Sequence, residues 1–210
     1  MLQLAGDALR VGGKLRAAQA RLAAELDRRR VTAAVAALRT GHPCLSVYDI
    51  VAVDVSPASL ADDSYTEYVL TLLARGSLVA HRLDFEIAAS TPADDLERCA
   101  GFAAAMRERG CHVTLDAFGA GGQSFPLLKR LRPDYVKIDE DFVRRLGASS
   151  LDYEIVLGMA RVARTMSVKI IADGVATPAA RELLQRMGVD FIQGPLAGPM
   201  QSILVGGLEP

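Results

Sequence analysis

The amino-acid sequence predicts an α/β fold, a TIM-like (β/α) barrel that is incomplete, with about six parallel strands preceded by N-terminal helices. Three observations predict it. From Leu45 onward, short apolar and β-branched runs alternate with stretches of helical spacing, the pattern of parallel strands joined by right-handed helical crossovers. Nearly every one of those runs ends in a polar or charged residue: Asp54, Glu86, Asp116, Lys137 with Asp139, Asp173 and Gln193. The first forty residues, rich in Ala, Arg and Leu, carry helical spacing instead.

Taken in order, Leu15, Leu22, Leu26, Val31, Val35 and Leu38 recur at roughly helical intervals, with an early interruption at Gly12–Gly13. One or two amphipathic helices are expected there, over 14–30 and 31–40. No coiled-coil seam is sustained over three or four heptads, so residues 1–40 are expected to pack as a helical segment on a barrel domain of residues 41–205. The strand runs are Leu45–Val55, Arg82–Ile87, His112–Leu115, Tyr135–Ile138, Val168–Ala172 and Phe191–Ile192. The helical stretches are Tyr65–Ala74, Ala93–Arg109, Leu151–Thr165 and Pro178–Met187, three of the helices being closed by Arg75–Gly76, Gly110 and Gly188, as C-terminal glycines do.

A doubly wound sheet and a barrel both produce such a series. The polar strand ends favour the barrel, where the C-terminal ends of all strands open on one face. Each acid could instead cap the next helix. Yet the neighbours Val53, Val55, Phe85, Ile87, Leu115, Ile138 and Ala172 are apolar and want burial, so a whole succession of such acids points to a shared site.

Composition excludes several functions. The 210 residues hold 24 Lys+Arg and 25 Asp+Glu, a formal charge of −1, which supplies no basic field for nucleic acid. Arg28 to Arg30 form one basic stretch, expected on a solvated helix face. Cys44, Cys99 and Cys111 are an odd number without metal-ligand spacing and are expected as idle or buried thiols. No apolar run reaches the roughly 18 residues of a membrane span, and Asp7 interrupts the place of a signal-peptide core. A cytoplasmic chain without membrane insertion is the expectation.

Four carboxylates converging with Lys137 and Gln193 would make an oxygen-rich pocket suited to Mg2+ or Mn2+, and zinc is disfavoured because neither His nor Cys joins the set. Such ions serve phosphoryl chemistry, with Lys137 orienting water or neutralising charge. The loop Phe118 to Ser124 could bring backbone N–H groups to a phosphate. His42, His81 and His112, expected in a loop and at two strand starts, are assigned no catalytic part. Met159, Met166 and Met187 are expected as helix packing, and Asp134 as a turn residue.

The runs Val113-Thr114-Leu115-Asp116-Ala117-Phe118-Gly119, Leu131-Arg132-Pro133-Asp134-Tyr135-Val136-Lys137-Ile138-Asp139, Ile170-Ile171-Ala172-Asp173-Gly174-Val175 and Asp190-Phe191-Ile192-Gln193-Gly194, with Val53-Asp54-Val55-Ser56 and Leu83-Asp84-Phe85-Glu86 upstream, together resemble the EAL domain of cyclic di-GMP phosphodiesterases over about residues 31–200. The resemblance implies a modified TIM barrel and hydrolysis of cyclic di-GMP to pGpG with two Mg2+ or Mn2+ ions. It implies metal ligation by Asp54, Glu86 and Asp116, catalytic places for Lys137 and Asp173, and ligand contacts by Asp139 and Gln193.

The chain also departs from that family. No Glu-Ala-Leu strand precedes Asp54, so the first two strands of an eight-stranded barrel are expected to be absent or replaced. Asp54 stands for an Asn, Ala117 for the second Asp of Asp-Asp-Phe-Gly, Ala89 for a loop-supporting Glu, and Ala120 and Gly122 for a Thr and a Tyr of the loop. Asp173 stands for a Glu, roughly 1.5 Å shorter, and misplacement on that scale matters to catalysis. The ligands left would hold one ion at most. The expectation is a degenerate module of cyclic di-GMP signalling that acts through a protein partner, with cyclic di-GMP as a ligand and a homodimer left open. A competent phosphodiesterase and a nucleotide-free interaction domain stand as the alternatives.

Overall fold

The computed structural model describes residues 2–42, 50–74 and 77–197, and within these the side chains of all but 2–17, 77–78 and 93. Six strands form one sheet: β1 Val51–Val55, β2 Leu83–Ala88, β3 His112–Phe118, β4 Tyr135–Ile138, β5 Lys169–Ala172 and β6 Phe191–Ile192. Every pair is parallel, and the strands follow one another in chain order. A doubly wound sheet reverses direction at a switch point; this sheet never does. It winds one way like a barrel and is left open between β1 and β6 among the described residues.

The helices are α1 Leu2–Thr40, α2 Pro57–Leu60, α3 Asp63–Ala74, α4 Leu96–Glu108, α5 Ser124–Leu131, α6 Glu140–Arg144, α7 Ser150–Thr165 and α8 Pro178–Met187. They cover the convex face, onto which the pleat sends Val53, Phe85, Ile87, Val113, Leu115, Val136, Ile138 and Ile170, all at most 4% exposed. Tyr65 of α3 and Phe85 of β2 meet Phe102 of α4, the first stacked at 5.9 Å between ring centroids and the second edge-on at 5.4 Å. These rings are among the most deeply buried in the core.

The boundaries show where local signals sufficed. β4, β6 and α8 coincide with their sequence readings, and α3, α4 and α7 nearly so. Within the reading Leu45–Val55, Val51–Val55 is β1; residues 45–49, Cys44 and the Arg75–Gly76 pair lie outside the described residues. His81 lies in a 3-10 turn, Ser77–Arg82, rather than at a strand start. α2, α5 and α6 are absent from the sequence reading. α5 begins directly after a glycine-rich loop and holds Pro126 in its first turn, where proline is tolerated; α6 is too short to show a period.

The N-terminal reading needs correction. In place of helices over 14–30 and 31–40, α1 runs without a break from Leu2 to Thr40. Interior glycine costs a helix only about 1 kcal/mol each, which strong helix formers on both sides offset. The second half of α1 is part of the core through Val31, Ala34, Val35, Ala37 and Leu38. It is fastened by Asp27, 1% exposed, whose Oδ2 accepts bonds from the Ser56 backbone N–H at 2.8 Å and the Ser59 hydroxyl at 2.7 Å. Nearby, Arg28 pairs with Asp62 at 2.8 Å and lies 4.7 Å from the Tyr68 ring centre.

Truncating Phe102 to Ala removes the ring on which Tyr65 and Phe85 meet. Urea unfolding of this variant is expected to show a loss of about 3–5 kcal/mol.

Candidate functional site

The concave face of the sheet takes the other half of each strand, and the register brings its polar residues level. Asp54 lies opposite Glu86, Glu86 opposite Thr114, and Ala88 opposite Asp116. Lys137 reaches across from β4. Its Nζ donates to both oxygens of Glu86, at 2.6 Å and 2.5 Å, and lies 3.5 Å from Asp116 Oδ1. The Lys137 and Glu86 side chains are 6% and 11% exposed, that of Asp116 32%.

Burial pushes the Glu86 carboxyl up to about 7 against the opposing pull of Lys137. Burial lowers the Lys137 ammonium, but Glu86, Asp116 and Asp173 outweigh it and hold the lysine above its ordinary value. The lysine is the standing positive charge of this cluster.

The remaining predicted residues do not join the pair. Asp54 shares the face at the open edge of the sheet, 69% exposed and 4.0 Å from Arg30. Asp139 caps α6, its Oδ1 accepting from the Asp141 N–H at 2.9 Å, so the capping alternative holds for this acid. Asp173 Oδ1 accepts from the Gly174 N–H at 2.7 Å. Gln193 is tied through its backbone to Ala172 and Val175, and its side chain is half-buried.

One buried group escaped the sequence reading. Asp84, 4% exposed, lies on the same face as Glu86 one pleat earlier, accepts from the Thr114 hydroxyl at 2.6 Å through Oδ2, and has no partner for Oδ1. Burial raises its carboxyl above the usual range, the Thr114 bond opposing. The period-2 spacing of Asp84 and Glu86 was the available signal.

The loop after β3 is shaped by a bulge. Pairing with β4 shifts between Leu115 and Phe118, and Ala117 sits at φ +51°, a conformation that costs a residue with a Cβ roughly 1–2 kcal/mol. Beyond it the loop folds on itself. Ser124, 1% exposed, accepts from the Gly119 N–H at 3.2 Å and donates to the Gly121 carbonyl at 2.7 Å, and the Ala120 N–H bonds the Ala117 carbonyl. Of the N–H groups expected to face a phosphate, those of Gly119, Ala120 and Ser124 are taken up within the loop. A Cβ on Gly121 would stand 2.9 Å from the Ala89 carbonyl oxygen, so the loop rests directly on backbone there.

These residues do not fit a two-ion centre. Glu86 gives both oxygens to Lys137, Asp54 is largely exposed beside Arg30, and among the described residues no three His, Cys, Asp or Glu side chains are grouped to hold a metal ion.

The family model of the EAL domain matches residues 14–199. The chain belongs to the EAL domain family. A cyclic di-GMP phosphodiesterase of Escherichia coli K12, PdeF, is 31% identical over 161 residues, covering 76% of this chain and 22% of that protein. The bifunctional diguanylate cyclase/cyclic di-GMP phosphodiesterase MucR of Pseudomonas aeruginosa is 34% identical over 148 residues, covering 70% and 22%. The chain thus spans about a fifth of the length of these curated relatives. Among solved structures, the PaMucR phosphodiesterase in complex with c-di-GMP superposes with a TM-score of 0.72 at 29% identity, over 92% of this chain and 76% of that one. The EAL domain of Mycobacterium smegmatis DcpA gives 0.71 at 28%, over 82% and 76%. The Xanthomonas citri FimX EAL domain, at 23% identity and a TM-score of 0.78, supports the fold. The open sheet is therefore an incomplete EAL-type barrel. No helix among the described residues is long and apolar enough to cross a membrane.

Two substitutions test the site's energetics. Asp84 binds its proton more tightly in the folded protein, so its contribution is complete below about pH 3.8 and is lost as pH rises through the higher folded value. Melting curves are expected to show Asp84→Asn gaining on the unsubstituted protein as pH rises above about 4. Ala117→Gly relieves the left-handed strain at some cost in chain entropy, and is expected to raise stability by about 1 kcal/mol in urea titrations.

Proposed function

We propose that this EAL domain is a catalytically degenerate module of cyclic di-GMP signalling, one that takes the nucleotide as a ligand without hydrolysing it and passes its state to a protein partner. The observation that supports this most directly is the engagement of both Glu86 oxygens by Lys137. Two-ion phosphoryl chemistry needs carboxylate oxygens free to ligate and fixed a few ångströms apart. Here the nearest second carboxylate, Asp116, also faces the same ammonium. Small residues stand where the resemblance implies carboxylates: Ala117 at the bulge and Ala89 under the loop, the latter wholly buried. The short Asp173 side chain is engaged by its own following N–H.

On this reading the strand-end cluster is a structural remnant of a hydrolytic centre. Asp116, Asp173 and Gln193 remain partly accessible at the mouth of the sheet, where Lys137 tempers the acidic field that a phosphate diester would meet.

Incubation with cyclic di-GMP and Mn2+ is expected to yield no multiple-turnover formation of pGpG, and Ala117→Asp alone is expected to leave that unchanged. Sustained turnover would make the domain a phosphodiesterase. Calorimetric titration with cyclic di-GMP in metal-free buffer is expected to give a saturable heat; its absence at high protein concentration would remove the nucleotide from the reading.

A further inference from the structure

The open sheet ends in two edges, and they differ. At β1 the helix α1 lies alongside: Val31, Val35 and Leu38 join the core there, and Asp27 takes up the Ser56 N–H that follows the strand. β6 has no such cover among the described residues. Gln193 donates its N–H to the Ala172 carbonyl, and a parallel ladder engages alternate residues of a strand with one neighbour. The N–H and C=O of Ile192 therefore point out from the sheet, and neither finds a partner among the described residues. Unpaired edge groups of this kind are a template for a further strand.

Both faces beside that edge are apolar. On the convex side a recess of about 350 Å³ opens between β6 and α8, lined by Leu184, Val189 and Ile192 with Arg181, Gln185 and Asp190. Asp190 is already engaged by Lys169 and by the Ile170 N–H. Arg181 is exposed and pairs with no carboxylate among the described residues. On the concave side Phe191 is 49% exposed and stands edge-on to Tyr135, 6.0 Å between ring centroids. A strand added beside β6 sends alternate side chains to the two faces, one set to the recess and the other to Phe191.

We propose that the β6 edge is a docking site for an extended segment of a protein partner, which joins the sheet beside Ile192, seats apolar side chains in the recess along α8 and sets an acidic one against Arg181. Main-chain bonds to a sheet edge give such complexes affinity, and side-chain pockets give them specificity. The ladder offered here is short, so the recess and the unpaired guanidinium carry the discrimination. Arg181 fixes the sign of the charge that the segment brings. The inference rests on the reading above only in taking a protein as the domain's partner; it requires no nucleotide at the strand-end cluster.

The test uses the full chain and two synthetic peptides, acetyl-Ser-Val-Thr-Glu-Thr-Val-Ser-amide and its counterpart with Lys in place of Glu. In each, both Val and the charged residue share one face of the extended chain. In isotope-labelled protein the Glu peptide is expected to shift the Val189 and Ile192 amide resonances saturably at sub-millimolar concentration and to slow hydrogen exchange at Ile192. The Lys peptide is expected to bind at least roughly tenfold more weakly, and Arg181→Glu to reverse that preference. Methylating alternate backbone nitrogens of the Glu peptide is expected to abolish its binding. Equal affinity for the two peptides, or no shift with either at millimolar concentration, overturns the proposal. So does an Ile192 N–H already protected in the free monomer, since this chain then covers its own edge. Protection that arises only as the protein self-associates in sedimentation overturns it in favour of a second copy. Cyclic di-GMP is titrated separately: nucleotide heat with silent peptides overturns the docking site alone, and bound peptide without nucleotide heat overturns the nucleotide reading alone.

Discussion

The pleat of the six parallel strands sends alternate residues to opposite sides of the sheet, and a slip of one residue would exchange the two sets. Val53, Phe85, Ile87, Leu115, Val136 and Ile170 go to the convex side and are sealed there by the helices. The same register delivers Asp54, Glu86, Asp116 and Lys137 to the concave side. Burial of the apolar set, at roughly 25 cal/mol per Å², thus sets the position of charged groups that contribute little to it. The site is a by-product of the core's register, and it persists when individual ligands have changed.

Charge on the concave side is then a matter of count. One buried ammonium answers several acids, and the closest of them, Glu86, is held by two bonds. A pair of this kind adds little net stability because desolvation opposes its attraction. What it does accomplish is geometric: it draws the ends of β2 and β4 together across β3. Asp84, one pleat deeper, finds only the Thr114 hydroxyl, and its second oxygen is left without a partner; burial raises its carboxyl, and the charge it carries when ionised raises Glu86 in turn.

Small residues shape the mouth of the site. Ala117 holds the left-handed turn that ends β3, and Gly121 comes within contact of the Ala89 backbone, letting the loop close on itself through Ser124. A loop that satisfies its own N–H groups has fewer to offer an anion. At the other side of the sheet, α1 is bound to the β1–α2 turn by Asp27, and Arg30 connects that helix to Asp54. The helix is thus in electrostatic contact with one strand end of the site.

The order of strands and helices, the parallel connections and the polar strand ends were all legible in the sequence, because each depends on local periodicity or on residue type at a run's end. β4 and β6 could be delimited from their apolar runs, and α8 from its Pro178 start and Gly188 stop. The family, too, was present in motifs such as Leu115-Asp116-Ala117-Phe118-Gly119. What required the tertiary structure was every choice between partners. Asp139 is a helix cap and Glu86 an ion-pair acceptor, though both are acids at strand ends, because Asp141 N–H lies near one and Lys137, fifty-one residues away, reaches the other. The singly wound strand order, the unbroken α1 and the orphaned oxygen of Asp84 are likewise consequences of what packs against what. A sequence records which residues can be charged or apolar; distances between strands decide which charges meet.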